Sequence, residues 1–370
     1  MKRCLFIIVL LTSLLEAFGA GRKEYAPLLP SLDAAVPYSV AHRGCHIYGL
    51  IPENCPAGVV YARRYGFRAI ECDAHYTKDS VLVLMHDATI NRTMRLREGY
   101  AVIPEPIRYA DVTYQELCDR YVLASDEPAF RTCIPTLEEE LLECRRQGII
   151  PMLHTDIFEA YAMAQRIVGD NFIAFDGNYT AVREARSLGN CLILWDPGTR
   201  SPNEIIHMLE AIGGRCGISS MKRDLLTPDF IRALTSQGYH VQSSIFPTPY
   251  EMQAIHDGAT LILSDFCLLP YARHGHRTAR LQKKNFCLHP GDTLLWTAPT
   301  AEHASMLMEV QFTGSLEVIV DGQRKYKMEN PSEDTWIDGW RHFNADPATI
   351  LLRATAPTTI RRLRLHSRRF

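Results

Sequence analysis

The stretch LEEELLECRRQGIIPMLHTDIFEAYAMAQRIVGDNFIAF, residues 137–175, sets the architecture. It reads as an amphipathic helix over 137–147, a short apolar run over 149–154, a second helix over 157–168 and a second apolar run over 172–175. The same alternation extends in both directions. Strand candidates precede it at 39–42, 68–73 and 81–86 and follow it at 191–195, 217–219, 238–243 and 260–265. Further helices are expected at 56–65, 202–212, 228–237 and 250–256. Repeated strand-helix units imply a parallel sheet, and about eight of them in one run imply a (β/α)8 TIM barrel, with a doubly wound sheet as the alternative.

Beyond residue 270 the pattern changes. A basic stretch, 273–284, is expected to be a linker. Strand-like runs follow at 293–297, 306–312, 316–320, 335–343, 350–354 and 360–366, separated by turn signals such as Asp321-Gly322 and Pro331. This reads as a small C-terminal all-β sandwich. The expected division is a signal peptide at 1–19, a lead-in at 20–36, the barrel at 37–272, the linker, and the sandwich at 285–370.

The N-terminal expectation rests on Met1-Lys2-Arg3, an apolar run from Leu5 to Leu15 and Ala17-Phe18-Gly19, the order of charges and small residues found in a secretory signal. The run is too short for a transmembrane span, so an exported, periplasmic or secreted protein is expected. Cys4 lies before the run, which disfavours a lipid anchor. The other ten cysteines form no C-x-x-C pair, so zinc ribbons and thioredoxin motifs are disfavoured and few disulfides are expected. Forty basic and 42 acidic residues leave a net charge of -2, which offers no overall field for nucleic acid.

The chemistry concentrates in His42-Arg43-Gly44, Pro52-Glu53-Asn54, Glu71-Cys72-Asp73, Thr77-Lys78-Asp79 and His86-Asp87. Most of these follow the C-terminal end of a strand candidate, the face where barrel loops build a site. Glu71 and Asp73 are two residues apart and project from one face of a strand, where they can share a hard cation such as Mg²⁺ or Ca²⁺. Each fragment has an ordinary reading too: a polar strand end, a solvated acidic face, a turn capped by aspartate. Their order and spacing together are what the ordinary readings leave unexplained.

That order resembles the glycerophosphodiester phosphodiesterase family, whose pattern is H-R-G, P-E-N-T, G-x-x-x-x-E-x-D, T-x-D-x-x-x-V-x-H-D and an R-T dipeptide. Here these are His42-Arg43-Gly44, Pro52-Glu53-Asn54-Cys55, Gly66 to Asp73, Thr77 to Asp87 and Arg92-Thr93. The resemblance implies a barrel that hydrolyses glycerophosphodiesters to an alcohol and glycerol 3-phosphate with one divalent ion. It implies His42 and His86 as general base and acid, Glu71 and Asp73 as metal ligands with Glu53 beside them, and Arg43 on a phosphate oxygen. Histidine titrates near working pH, and a planar guanidinium suits phosphate.

The chain departs from the family where an E-x-K segment is expected. His154 stands for the glutamate and Asp156 for the lysine, which implies a softer site and a transition ion such as Mn²⁺ or Zn²⁺ if His154 is a ligand. Asp156 is then a further ligand candidate, and Lys222 a replacement contact to phosphate. The family's later Trp-Thr is Gln242-Ser243-Ser244 here, so the alcohol preference is open. Trp195 is a pocket or core residue, and Trp296, Trp336 and Trp340 are a sugar platform or core aromatics. The arginines from Arg361 to Arg369 read as a solvated strand. A phospholipase C-like or D-like enzyme on membrane lipid, and a degenerate barrel that binds glycan or envelope, are the other readings; the partner of the β-domain is open.

Overall fold

The computed structural model describes residues 38–46, 51–64, 67–245, 253–255, 257–264, 276–298, 304–320, 322–330, 335–342 and 348–369. The expected signal peptide and lead-in, Asp265 and most of the helix at 250–256 lie outside these, as do the side chains of Trp336 and Trp340.

The first half is a closed parallel barrel. Its strands are β1 (Tyr38–Ala41), β2 (Ala69–Tyr76), β6 (Ile150–His154), β7 (Ile173–Asp176), β8 (Leu192–Trp195), β9 (Cys216–Ser220), β10 (His240–Ser244) and β11 (Leu261–Ser264). They pair in the order β1, β11, β10, β9, β8, β7, β6, β2, and β1 pairs again with β2 to close the ring. Outside it lie α1 (Pro56–Arg64), α3 (Leu137–Gln147), α4 (Phe158–Val168), α6 (Pro202–Ile212) and α7 (Pro228–Ser236). The doubly wound alternative is excluded by closure.

Alternation along each strand separates two cores. Val40, Ala69, Ile150, Met152, Ile173, Leu192, Leu194, Leu261 and Leu263 fill the barrel interior. Ile70, Cys72, Leu153, Ala174, Ile193, Trp195, Ile218 and Val241 point the other way, into the larger layer under the helices. A side-chain period of two on a pleated strand produces this division. Helix ends are set locally: Thr136 and Glu139 form a capping box on α3, and Gly148, at φ 66, ends that helix.

The run at 81–86 is a strand of a different kind. As β3 (Leu82–Leu84) it pairs antiparallel with the end of β2, outside the ring. It opens a long insertion that carries a second hairpin, β4 (Met94–Leu96) and β5 (Tyr121–Leu123), with α2 (Tyr114–Arg120) between them. Apolar periodicity alone does not distinguish a ring strand from a hairpin strand. The insertion has its own core around Val83, Met85, Ile90, Leu117 and Tyr121. Cys118 and Cys133 are bonded across it, the one disulfide among the described residues.

The C-terminal part is all-β. Residues 276–284 of the expected linker are instead the start of β12 (His276–Leu288), which pairs antiparallel with β18 (Thr358–Arg369), while 273–275 lie outside the described residues. Basic residues there misled the reading, because an edge strand tolerates charge on its open face. β14 (Ala304–Val320) joins the two expected runs and serves two sheets. Its first part pairs with β16 (Thr335–His342) and β18, and its second part with β15 (Gln323–Asn330) and β17 (Ala348–Ala354). Strand β13 (Thr293–Ala298) completes the second sheet through β17. Gly314 lies at the change of partner, with φ 113, and a Cβ there would come within 2.4 Å of the Pro357 carbonyl oxygen. Met308, Phe312, Val318, Ile350 and Leu363 form this domain's own core, and Trp296 belongs to it. Ile360, Leu363 and Leu365 are buried while Arg361 and Arg362 are exposed, as a solvated strand requires.

Candidate active site

The inward row of β2 continues upward from Ala69 through Glu71 and Asp73, residues that are 1% and 3% exposed. Asp73 lies in register with His154 on β6, and His154 with Phe175 on β7. Neighbouring strands thus bring two carboxylates and an imidazole to the C-terminal mouth. His154 Nδ1 is 3.1 Å from Asp73 Oδ1 and 3.5 Å from Glu71 Oε1. The ligand atoms of Glu71, Asp73 and His154 all lie within 4.8 Å of one another.

Charge holds the cluster in one state. Burial raises the Asp73 pKa, but hydrogen bonds from His154 and Asn54 bring it down to about 2. Burial likewise opposes a charge on His154, and the Asp73 and Glu71 carboxylates raise it to about 10. In the metal-free protein an imidazolium therefore lies where a cation fits. Two carboxylates and one imidazole suit Mg²⁺, Mn²⁺ or Zn²⁺, and the imidazole shifts the preference toward the transition ions.

Loops after β1 and β3 complete the wall. Arg43, at φ 51, donates its backbone N–H to Glu71 Oε2 at 2.8 Å. Its guanidinium Nη1 reaches Glu53 Oε1 at 3.4 Å, and its buried Nε has no hydrogen-bond partner among the described residues. A donor left in that condition is costly unless a ligand oxygen meets it. Gly44, at φ 72, donates to the Glu71 carbonyl at 2.9 Å, and Gly58 approaches it so closely that a Cβ on Gly58 would lie 3.2 Å from the Cys45 nitrogen. The glycine pair lets the His42 loop and α1 touch.

Asn54 was legible as part of a motif, but its role was not. Buried and at φ 53, it donates Nδ2–H to Asp73 Oδ2 at 2.9 Å and accepts the Asp73 N–H at 3.0 Å. It fixes the carboxylate from the side opposite His154. Asn tolerates this left-handed backbone better than most residues, which explains the choice.

A chain of charge links Glu53 to His86. Arg92 donates to both Glu53 oxygens at 2.7 Å and to Asp87 at 2.7 and 3.0 Å. Burial raises the Glu53 pKa, and Arg92 and Arg43 outweigh it, so the carboxyl is held below its usual range. The Arg92 hydrogen bond holds Asp87 well below the carboxylate range. An ionised Asp87 only accepts, so His86 Nδ1, 2.8 Å away, carries the hydrogen and Nε2 is left for chemistry. His42 follows β1, half-buried, with its backbone N–H on the Ser264 carbonyl and its own carbonyl 3.0 Å from His46 Nδ1.

Other expected residues fall elsewhere. Glu53 is outside the three-ligand cluster, with both oxygens held by Arg92. Asp156 is exposed and outside the cluster, two residues past the end of the inward row. Lys222 is exposed in the loop after β9, where its backbone N–H donates to Ser220 Oγ and its carbonyl accepts from the Leu225 and Leu226 N–H groups. Trp195 is fully buried beneath the helices, with Nε1 on the Gly177 carbonyl, so it is a core residue. Ser219 donates to Gln242 Oε1 at 2.7 Å and lies 2.6 Å from Ser244 Oγ, which makes a polar patch inside the barrel. Asp176, not singled out in the sequence, lies 3.8 Å from His154 Nε2.

Fold and site together define a (β/α)8 barrel with a cluster of two carboxylates and an imidazole at its C-terminal mouth. Residues 42–186 match the model of the Glycerophosphoryl diester phosphodiesterase family. Over 116 residues the chain is 33% identical to glycerophosphodiester phosphodiesterase 1 of Mus musculus and 32% identical to that of Homo sapiens. Each match covers 30% of this chain and 31% of the relative, so less than a third of the relatives' length is matched. A solved structure from Silicibacter pomeroyi, assigned to the glycerophosphoryl diester phosphodiesterases, superposes with a TM-score of 0.51 at 19% identity, covering 65% of this chain and 93% of that one. One from Agrobacterium tumefaciens gives 0.51 at 16% identity, over 63% and 95%. Identities this low carry the fold alone.

Proposed function

We propose that the protein is an exported, metal-dependent phosphodiesterase that hydrolyses glycerophosphodiesters to an alcohol and glycerol 3-phosphate. The observation that carries this reading is the cluster of Glu71, Asp73 and His154, together with the oriented His86 and an Arg43 Nε that has no partner among the described residues. Two buried carboxylates repel a phosphodiester, so an anionic substrate needs a cation between them. Glu71, Asp73 and His154 would hold a divalent ion, which would supply Lewis-acid polarisation of a phosphoryl oxygen.

The chain's own groups do the rest. Arg43 directs its free donor to a phosphate oxygen and favours the charge that builds on the equatorial oxygens. His86, held by Asp87 with Nε2 outward, transfers a proton at that atom, and His42 serves at the opposite side of phosphorus. One accepts the proton of the attacking hydroxyl or water and the other donates to the leaving alkoxide. Arg92 keeps Asp87 and Glu53 ionised and in place. The N-terminal charge and apolar pattern supports export, and a disulfide in the insertion is in keeping with an oxidising compartment. Among the described residues no helix is long and apolar enough to cross a membrane. The β-domain, with its own core, is read as an accessory unit.

The test is hydrolysis of glycerophosphocholine, glycerophosphoethanolamine and bis(p-nitrophenyl) phosphate by chelator-stripped protein, with Mg²⁺, Ca²⁺, Mn²⁺ or Zn²⁺ restored singly. Metal-dependent release of glycerol 3-phosphate is expected, with Mn²⁺ or Zn²⁺ above Ca²⁺. Cleavage of the artificial diester alone would displace the substrate assignment, and inactivity with every ion would displace the enzyme reading.

A further inference from the structure

The two nitrogens of His154 face different carboxylates, and the difference has chemical content. Nδ1 is turned toward Asp73 and Glu71, at 3.1 and 3.5 Å, and Nε2 toward Asp176 Oδ2, at 3.8 Å. A neutral imidazole that gives Nδ1 to a cation carries its hydrogen on Nε2, and that hydrogen needs an acceptor. Asp176 ends β7 beside Phe175, whose ring packs against His154 with centroids 4.8 Å apart. Its other oxygen, Oδ1, accepts the Asn178 N–H at 2.6 Å, which holds the carboxylate in one orientation. The Asp176 side chain is 21% exposed, so its charge is incompletely screened.

We propose that Asp176 is a positioning residue for the cation site: it takes the Nε2–H of His154 and so presents Nδ1, as a more basic ligand, to an ion shared with Glu71 and Asp73. The inference rests on the metal-dependent reading above and adds to it a residue that touches neither ion nor substrate. It also gives the replacement of carboxylate by imidazole at position 154 its partner. An outer carboxylate of this kind strengthens a histidine ligand, and its loss weakens metal affinity about 10- to 100-fold.

The experiment is calorimetric titration of Mn²⁺ into chelator-stripped full-length protein, with the melting temperature of each metal-free variant measured alongside. The variants are Asp176→Asn, His154→Glu and the double variant. Asn keeps an oxygen for the Asn178 N–H, so Asp176→Asn should melt with the wild type while binding Mn²⁺ at least about 10-fold more weakly. With glutamate at position 154 there is no Nε2–H to receive, and adding Asp176→Asn should change the affinity by less than about twofold. Equal Mn²⁺ binding by wild type and Asp176→Asn would overturn the inference and leave the metal site standing. An equal loss in both backgrounds would also overturn it, by making Asp176 a direct ligand or a purely structural group. A wild type that binds neither Mn²⁺ nor, titrated in the same way, Zn²⁺, Mg²⁺ or Ca²⁺ would remove the metal reading itself, and the inference with it.

Discussion

Glu140 offers a sharp test of the energetics behind the site. It lies on the inward side of α3 with Leu137, Leu141 and Cys144, fully buried, and neither carboxylate oxygen has a hydrogen-bond partner among the described residues. Burial, with smaller contributions from Glu143 and Glu139, pushes its pKa up to about 8. It is near enough to raise the thiol of Cys72, the residue between Glu71 and Asp73. Between pH 4.5 and 8 the native state holds a proton that the unfolded chain has released. The stability this contributes is fully present below about pH 4.5 and is lost as pH rises through about 8. At about 1.4 kcal/mol per unit, wild type should lose about 3 to 4 kcal/mol between pH 5 and pH 8 from this group alone. Glu140→Met keeps the length and removes the proton. Urea denaturation of both proteins at pH 5, 6, 7 and 8, followed by far-ultraviolet circular dichroism, isolates the effect, because the other titrating groups cancel in the difference. The variant should gain on wild type steadily with pH. Parallel curves, within about 0.5 kcal/mol, would refute a neutral buried Glu140.

Four further outcomes follow from the site. His86→Ala and His42→Ala should each lower kcat about 10²- to 10⁴-fold with melting temperatures unchanged, and near-wild-type turnover in either would remove that residue from proton transfer. Asn54→Ala strips two hydrogen bonds from Asp73 and should cost about 2–3 kcal/mol in urea titrations together with weaker Mn²⁺ binding; a loss of stability with unchanged binding would make Asn54 only a structural cap. Cys118→Ser opens a loop of sequence separation 15 and should cost about 3 kcal/mol, which dithiothreitol should reproduce in wild type but not in the variant. Termination before His276 removes β12 whole and should leave hydrolysis of a small diester intact, whereas loss of activity in a folded truncation would give the β-domain a part in the site.

The site was legible where the chemistry follows strand parity and illegible where it does not. Glu71 and Asp73 share a face because they are two apart on β2, and His154 joins them because its strand lies next to β2 in register. Both facts follow from alternation and strand order. Asp176 has the parity of Ala174, which points outward into the helix layer, so the pattern places it away from the mouth. It reaches His154 only because β7 ends there, and a chain leaving a strand is no longer bound by the pleat. Asp156, a ligand candidate because it stands where the family pattern has lysine, lies past the end of β6 at His154, exposed and outside the cluster. His86 came from its motif, but its setting did not, since β3 has the composition of a barrel strand and the position of a hairpin. The insertion it opens supplies Asp87 and Arg92, and these tie His86 to Glu53 across the mouth. Loss of Arg92 should therefore release two carboxylates at once, and Arg92→Leu should reduce turnover more than removal of either Asp87 or Glu53 alone.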